Sequence, residues 1–277
     1  MARTMRLSQV IEGDLNLLHL YTFDDGFTVE SVFYRGDTLC VSTQVGCHVR
    51  CGFCASGREG LLRNLTAEEI INQFLLSPFR ERIQRIAVAG IGEPLMNWRE
   101  VLKAFYMFRE MGLRVSFYTS GFPLDKLGEL IDINHNGLTV SIHSLHTKVR
   151  KRLMPGSGRV EDLIGFLEDK VRALSRRKRS RISLAYLLLK GVNDSSEDAI
   201  NLGRTAGRLG LSVTLLRFNR VGDYEASDEE RYVSFFRILR SMGVKVTLST
   251  RFRRDKIGGC GTLVINRKED DMMEVRG

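Results

Sequence analysis

No apolar run in this sequence is long enough to cross a bilayer. The longest clean one, 184–189, falls far short of the roughly 20 residues a spanning helix needs. The N-terminus also lacks an apolar stretch, and Glu12 and Asp14 stand where a secretory signal would need one. Neither secretion nor membrane insertion is therefore expected, and the chain reads as cytoplasmic. No linker-like or low-complexity stretch divides it. Cysteine is scarce at five, an odd number, and three of the five crowd into eight positions. That makes a poor disulfide framework and a good metal site in a reducing compartment.

What is present is ordinary globular composition. The 277 residues are 43% hydrophobic and 27% charged, which excludes global disorder and allows one large domain or two small ones. Forty-two basic residues against 33 acidic ones give a formal charge of +9, which points to an anionic partner. Two alternating segments, 15–21 and 28–34, flank Asp24-Asp25-Gly26 and predict a β-hairpin. A strand at 38–42 then runs into the cysteine-rich loop. Thr66 and Glu69 have capping-box spacing ahead of Ile70, Ile71, Phe74 and Leu75, so a helix is expected after that loop. Strand patterns at 85–89, 114–119, 138–142, 181–188, 212–218 and 245–249 follow. Helical patterns lie between most of them, at 98–111, 123–132, 160–175, 196–209 and 227–242. Such alternation implies an α/β chain with a parallel sheet, open or closed into a full or partial barrel. The expected organisation is one catalytic domain, 37–277, behind a short β-hairpin extension, 1–36.

In such a fold the loops after the strands build the active site. Those loops are polar or glycine-rich in turn. They read Gly46-Cys47-His48-Val49-Arg50-Cys51-Gly52-Phe53-Cys54, then Gly90-Ile91-Gly92-Glu93-Pro94, Thr119-Ser120-Gly121, Ser141-Ile142-His143, Arg217-Phe218-Asn219 and Gly258-Gly259-Cys260-Gly261.

Cys47, Cys51 and Cys54 are spaced C-x3-C-x2-C. Three thiolates in one short loop can hold three irons of a [4Fe–4S] cluster and leave the fourth open to a small chelator. S-adenosylmethionine is the cofactor of radical chemistry at such clusters. Zinc, with His48 or a distant fourth ligand, is the competing reading, although no second knuckle is present. Three unrelated buried thiols is the third. Taken singly, the other candidates are weaker. Cys40 reads as a small buried hydrophobe, and Cys260 among its glycines as a site residue or a loose surface thiol. Glu93 is a cofactor-binding loop edge or a tight turn, and His143 alone is more often structural than catalytic. The basic run 172–181 is by default a solvated helix end. With Arg150, Lys151, Arg152, Arg251, Arg253 and Arg254 it could instead contact phosphates.

Taken together, these stretches resemble the RlmN/Cfr family of radical S-adenosylmethionine RNA methyltransferases. The likeness runs from about Leu17 to Gly261. It rests on Val29-Glu30-Ser31-Val32, Leu39-Cys40-Val41-Ser42-Thr43-Gln44-Val45-Gly46-Cys47, Cys51-Gly52-Phe53-Cys54 and Gly90-Ile91-Gly92-Glu93-Pro94-Leu95-Met96-Asn97. It continues through Ser141-Ile142-His143, Gly191-Val192-Asn193-Asp194, Phe218-Asn219 and Cys260-Gly261. The cluster motif alone would indicate the superfamily, and the two further cysteines point to this branch.

The resemblance implies a partial (β/α)6 barrel of the radical SAM type. Cys47, Cys51 and Cys54 would ligate the [4Fe–4S] cluster. Gly92, Glu93, Tyr118, Ser141, Ile142, His143 and Asn219 would bind S-adenosyl-L-methionine. Cys260 would carry the methyl group to an adenine ring carbon (C2 or C8) of rRNA or tRNA. Cys40 would close a disulfide with Cys260 to release the product, and Glu30 would accept a proton. A reducing partner such as flavodoxin or ferredoxin, and a monomeric state, are further implied. Four features depart from the family pattern. Only the short extension stands where the family has an N-terminal helical domain, so the chain is expected to hold RNA with its own rim and basic patches. Tyr118 occupies a position usually given to a small hydroxyl residue. Arg253-Arg254-Asp255-Lys256 replaces an acidic stretch, and Arg220 follows Asn219 where proline is common. Two other function classes remain open from the residues: a radical enzyme acting on a protein or small molecule, and a non-catalytic iron–sulfur or zinc RNA-binding module.

Overall fold

The computed structural model describes residues 4–267, which form two compact units. The first takes the chain up to residue 50, then 54–117 and the segment from 250 onward; the second takes 51–53 and 118–249.

The first unit opens with three antiparallel strands, β1 (Met5–Glu12), β2 (Leu17–Phe23) and β3 (Thr28–Tyr34). β2 and β3 are the hairpin expected from the sequence, and Gly26 adopts φ +85° between them. β1 was not expected. A bulge between Leu7 and Gln9 interrupts its alternation and only Met5 and Ile11 along it are buried, so no clean period of two marks it. β4 (Thr38–Val41) pairs antiparallel with β3, which makes the hairpin continuous with the rest of this unit's sheet. A separate ribbon pairs β5 (Gln44–Gly46) with β6 (Leu61–Asn64) and frames the cysteine loop. α1 (Ala67–Leu75) follows with both arms of the Thr66–Glu69 capping box formed, and Ile70, Ile71 and Phe74 turned into the core. β7 (Arg85–Val88), α2 (Trp98–Glu110) and β8 (Arg114–Thr119) complete the series, and β4, β7 and β8 run parallel.

The second unit repeats the alternation. Its elements are α3 (Leu124–Asp132), β9 (Gly137–Ser141), α4 (Thr147–Leu153), α5 (Val160–Arg172), α6 (Arg176–Arg179), β10 (Ile182–Leu187), α7 (Ser196–Leu209), β11 (Ser212–Leu216), α8 (Glu229–Ser241) and β12 (Val246–Leu248). β9, β10, β11 and β12 pair in that order, all parallel. Ser195 and Asp198 form a second capping box at the head of α7, and Gly210 ends that helix in the left-handed conformation. The α/β class with mostly parallel strands is therefore the one expected from the alternation. Among the described residues no helix is long and apolar enough to cross a membrane.

Candidate active site

The carboxyl end of β4 is built as a rigid platform. The Gln73 side-chain amide braces the Ser42 backbone from both sides, accepting from its N–H and donating to its carbonyl at 2.8 Å each. The Ser42 hydroxyl donates to the Glu30 carbonyl and accepts from the Ile91 amide at 2.8 Å. The loop after β7 is held on this platform. The Glu93 N–H donates to the Gln44 side chain at 2.8 Å, and Asn97 Nδ2 donates to the carbonyls of Thr43 and Leu65. Gly92 adopts φ +109°, and a Cβ there would lie 2.7 Å from Thr43 Oγ1 and 2.8 Å from the Gln44 side chain, so only glycine fits. Glu93 is buried, and its carboxylate accepts from the Leu95 amide at 3.2 Å, capping a short 3₁₀ turn.

The first unit gathers the far ends of the chain around Cys40. Cys40 leaves β4 half-buried, and Cys260 is exposed. The segment after Cys260 is pinned to the end of the cysteine loop: Ala55 N–H donates to the Gly261 carbonyl at 2.8 Å and Ser56 Oγ to the Leu263 carbonyl at 2.7 Å. Burial first, then the neighbouring Cys260, push the Cys40 thiol up to about 12, while the Arg253 guanidinium opposes the rise. Arg253 itself points a guanidinium N–H at Cys260 Sγ, 3.3 Å away. Cys47 is likewise pushed up to about 12, by burial and then by Cys54, and the Cys54 thiol is raised mainly by burial, with Cys260 adding to it. The thiols of Cys47, Cys54, Cys260 and Cys40 thus interact in succession. Glu30 lies fully buried on β3. One of its oxygens accepts from the Val264 amide at 3.0 Å, and the carboxylate pairs with Arg267 through both Nε and Nη2.

The second unit carries the other half of the expected residues. Cys51 lies in this unit with Gly52 and Phe53; the Gly52 amide donates to the Leu153 carbonyl at 3.0 Å, and Tyr224 packs where a Gly52 Cβ would project. Ser141 ends β9, and His143 follows it at φ +56° and buried. The Leu187 N–H donates to His143 Nδ1 at 3.1 Å, so Nδ1 must accept and the ring proton sits on Nε2. Burial, then the Arg150 charge, lower the His143 pKa to about 3, which keeps the ring neutral. Phe53 meets it edge-on at 5.0 Å. Asn193 donates to the His143 carbonyl at 2.5 Å and to the Leu187 carbonyl at 2.8 Å. Tyr118, at the end of β8, and Asn219, after β11, are both half-buried.

The sequence model of the Radical SAM superfamily matches residues 41–203. A probable RNA methyltransferase of Rhodopseudomonas palustris is 37% identical over 260 residues, covering 88% of this chain and 70% of that one. The dual-specificity RNA methyltransferase RlmN of Solidesulfovibrio magneticus is 34% identical over 265 residues, covering 88% and 74%. The chain belongs to the RlmN-type radical SAM RNA methyltransferases. A crystal structure of a radical SAM methyltransferase from Sphaerobacter thermophilus agrees, with a TM-score of 0.83 at 28% identity over 94% of this chain and 81% of that one.

As a member of this family the chain is a methyltransferase whose class works with a [4Fe–4S] cluster and S-adenosylmethionine. The donor set fits the cluster. Cys47, Cys51 and Cys54 are all free of disulfides and partly accessible, and the rise that Cys54 imposes on Cys47 is what a shared cation would reverse.

Three contributions were not legible in the motifs. Arg150, grouped in the sequence with a phosphate-contacting cluster, is instead buried and donates to the carbonyls of Ser120, Ser141 and Ile142, fixing two of the site loops. Glu30, to which the resemblance gives a proton-accepting role, is engaged in a buried ion pair with Arg267. Arg253, counted with the surface charge, faces Cys260. Only the position of Arg253, seven residues before a glycine-flanked cysteine, could have singled it out.

Proposed function

We propose that this chain methylates an adenine ring carbon of RNA through a methylated Cys260. The observation that supports this reading is the pinning of the Cys260 segment against the end of the loop that holds Cys47 and Cys54, from where the Cys260 thiol acts electrostatically on Cys40 at the other end of the chain. When bound, the cluster and S-adenosylmethionine would supply the methyl group and the one-electron chemistry that an unactivated aromatic C–H carbon requires. Cys47, Cys51 and Cys54 would hold the cluster; Gly92, Glu93, Tyr118, Ser141, Ile142, His143 and Asn219 would hold the nucleoside cofactor. In that set the glycine brings backbone close, and neutral His143 offers an Nε2–H donor rather than a base, since its proton affinity is far too low to take a proton near neutrality. Arg150 and Asn193 keep its loop in place. Cys260 would carry the methyl group as a thioether. Cys40, kept a neutral thiol by burial until that step, would lose its proton and attack the Cys260 sulfur, so that the S–S bond forms as the Cys260–carbon bond breaks and the departing carbon takes that electron pair and a proton. A target adenosine would have to be unstacked for its ring carbon to reach that sulfur. The electron donor would be a small reducing protein.

The test is mass spectrometry on protein and RNA together. Anaerobically purified protein should carry about four irons with matching sulfide, a content lost in Cys51→Ala and kept in Cys40→Ala and Cys260→Ala. Cys260 should carry an extra methyl group, Cys260→Ala should give no methylated RNA, and Cys40→Ala should trap an RNA crosslink. Stoichiometric zinc without sulfide, or methylated adenosine formed by Cys260→Ala, would overturn the reading.

A further inference from the structure

We propose that Tyr34, Arg35, Arg251 and Phe252 form a base-stacking platform that holds unpaired RNA beside the reacting adenosine. The two rings carry the two guanidinium groups, and the guanidinium planes meet the bases that flank the target. The proposal rests on the reading of this chain as an RNA-modifying enzyme that works through Cys260, and adds to it the place where the flanking strand is held.

All four residues belong to the first unit. Arg35, in the turn between β3 and β4, lies over two rings, 5.8 Å from the centre of Tyr34 and 5.9 Å from that of Phe252. Arg251 lies over Phe252 at 5.4 Å, and the two rings are 6.4 Å apart. Both arginines are exposed, and among the described residues neither has a carboxylate or hydrogen-bond partner. Asp37, the acidic residue of the same turn, is taken up by Arg85 at 3.2 Å and by the Thr38 hydroxyl. Arg35 also stands at φ +57°, a left-handed position that glycine or asparagine fills at less cost, so its side chain and not the turn accounts for an arginine there. The platform adjoins the site. Phe252 precedes Arg253, whose Nη1 lies 3.3 Å from Cys260 Sγ and whose carbonyl accepts from the Cys260 N–H at 3.1 Å. It is anchored from the other end of the chain. Asn16 Nδ2 donates to the Phe252 carbonyl at 2.8 Å, and the buried Asp255 carboxylate accepts from the amides of Leu15, Asn16 and Ile257 at 2.6, 2.7 and 3.1 Å. A Cβ on Gly13 would lie 2.8 Å from both Asp255 Oδ1 and Ile257 Cβ, so the turn after β1 closes against this segment only as glycine. The unexpected strand β1 thus has a use: it ends in the clamp that fixes Phe252.

A guanidinium set over a ring is held flat by cation–π attraction, with its N–H edge left for a phosphate and its plane for a base. Stacking of this kind tolerates any base, because every base has a π-face. An adenosine drawn out of its stack to reach Cys260 leaves its neighbours without a stacking partner. A flat, positively charged surface one residue from Arg253 supplies that partner and neutralises the backbone that turns past it. An acidic protein would answer the charge alone. The layering of guanidinium on ring answers a base, and that decides between the two partners.

The test measures fluorescence anisotropy of a short, unstructured RNA of cytidines around one central adenosine, binding the full chain reconstituted with iron and sulfide. The comparison RNA has the same length and charge but lacks the bases on either side of the adenosine. Native protein should bind the intact RNA about tenfold more tightly than the abasic one, the range that a stacked base supplies. The double change Arg35→Lys and Arg251→Lys keeps the charge and removes both planes. It should lose that tenfold preference while the salt slope and the urea midpoint stay at their native values. Each single change should remove about threefold, and these carry the test if the double variant unfolds. Native protein that binds intact and abasic RNA equally overturns the proposal. So does a double variant that keeps the preference, since the rings and arginines are then only an internal staple. Polyglutamate that displaces the RNA as well as unlabelled RNA does would also overturn it, by showing a general anion surface. Methylation is scored separately. A base preference that depends on the two arginines, without any methylated RNA, would sink the proposed function and leave the platform standing. Methylated RNA with no base preference would do the reverse.

Discussion

A buried arginine remains charged and must be met by acceptors, and Arg150 finds three in the carbonyls of Ser120, Ser141 and Ile142. Its planar fork lets one side chain tie the loop after β8 to the loop after β9. Removing it would leave those carbonyls in a dry environment. Arg150→Met, similar in length and apolar, should therefore cost about 3–5 kcal/mol, read as a shift in the urea midpoint. Arg150→Lys should recover only part of that, because a single ammonium cannot serve both loops at once. In the sequence Arg150 is indistinguishable from Lys151 and Arg152, yet Lys151 is exposed and bonds the nearby Pro155 carbonyl. Charge is written in the chain; the direction in which a helix turns that charge is not. The motif glycine at 92 is a contrast: only glycine accepts φ +109° beside Thr43, and that demand could be read in advance from its Gly-Ile-Gly-Glu-Pro context.

At the scale of elements, α6 gathers Arg176, Arg177, Lys178 and Arg179 in one exposed turn. It stands just before β10, whereas His143 faces the other end of that strand through Leu187. Six residues of parallel strand put roughly 20 Å between the two ends. Within this unit the basic run is therefore at the opposite edge from the site loops, and part of it is structural: Arg179 Nη2 bonds the Leu174 carbonyl, and neighbouring Arg181 bonds Asn134 and the His135 carbonyl. Changing Arg176, Arg177 and Lys178 to Ser should leave kcat/KM on a short stem-loop RNA within about twofold of the native value. A flattened salt dependence, by about 0.7 in log–log slope for each lost contact to single-stranded RNA, would show that the run does touch substrate. The alternation of strands and helices was legible because each element repeats its period within ten or so contiguous residues. β1 escaped because its bulge breaks that period, and the β5–β6 ribbon because its strands are too short to show one.

For the molecule as a whole, the buried histidines set the acid limit. Burial lowers His19 and His135 to about 4 and His143 to about 3, against an ordinary value of 6.5. As pH falls below 6.5 the unfolded chain binds these protons first, so stability is lost from about pH 6.5 down to about pH 4, where His19 and His135 begin to protonate in the fold. Three protons correspond to a slope of up to about 4 kcal/mol per pH unit. His19→Phe should flatten it by up to about 1.4 kcal/mol per pH unit, seen in urea midpoints between pH 7 and 5. At pH 7 the variant should lose only about 1 kcal/mol, since Phe keeps the stack on Phe79 at 5.9 Å but gives up the 3.3 Å hydrogen bond between His19 Nδ1 and the Tyr21 hydroxyl.

By itself the sequence determined the α/β alternation, the helix capped by Thr66 and Glu69, and the cysteine loop, because each depends on residues a few positions apart whose spacing is a property of the chain. Only the tertiary structure decided that Cys260 faces Arg253, that its segment is pinned to the cysteine loop, that Glu30 locks to Arg267, and that the turn after β1 clamps Asp255. Those contacts join the two ends of the chain. They exist only once the sheet has closed the distance between them, and no local periodicity encodes which distant partner a buried charge or thiol will find.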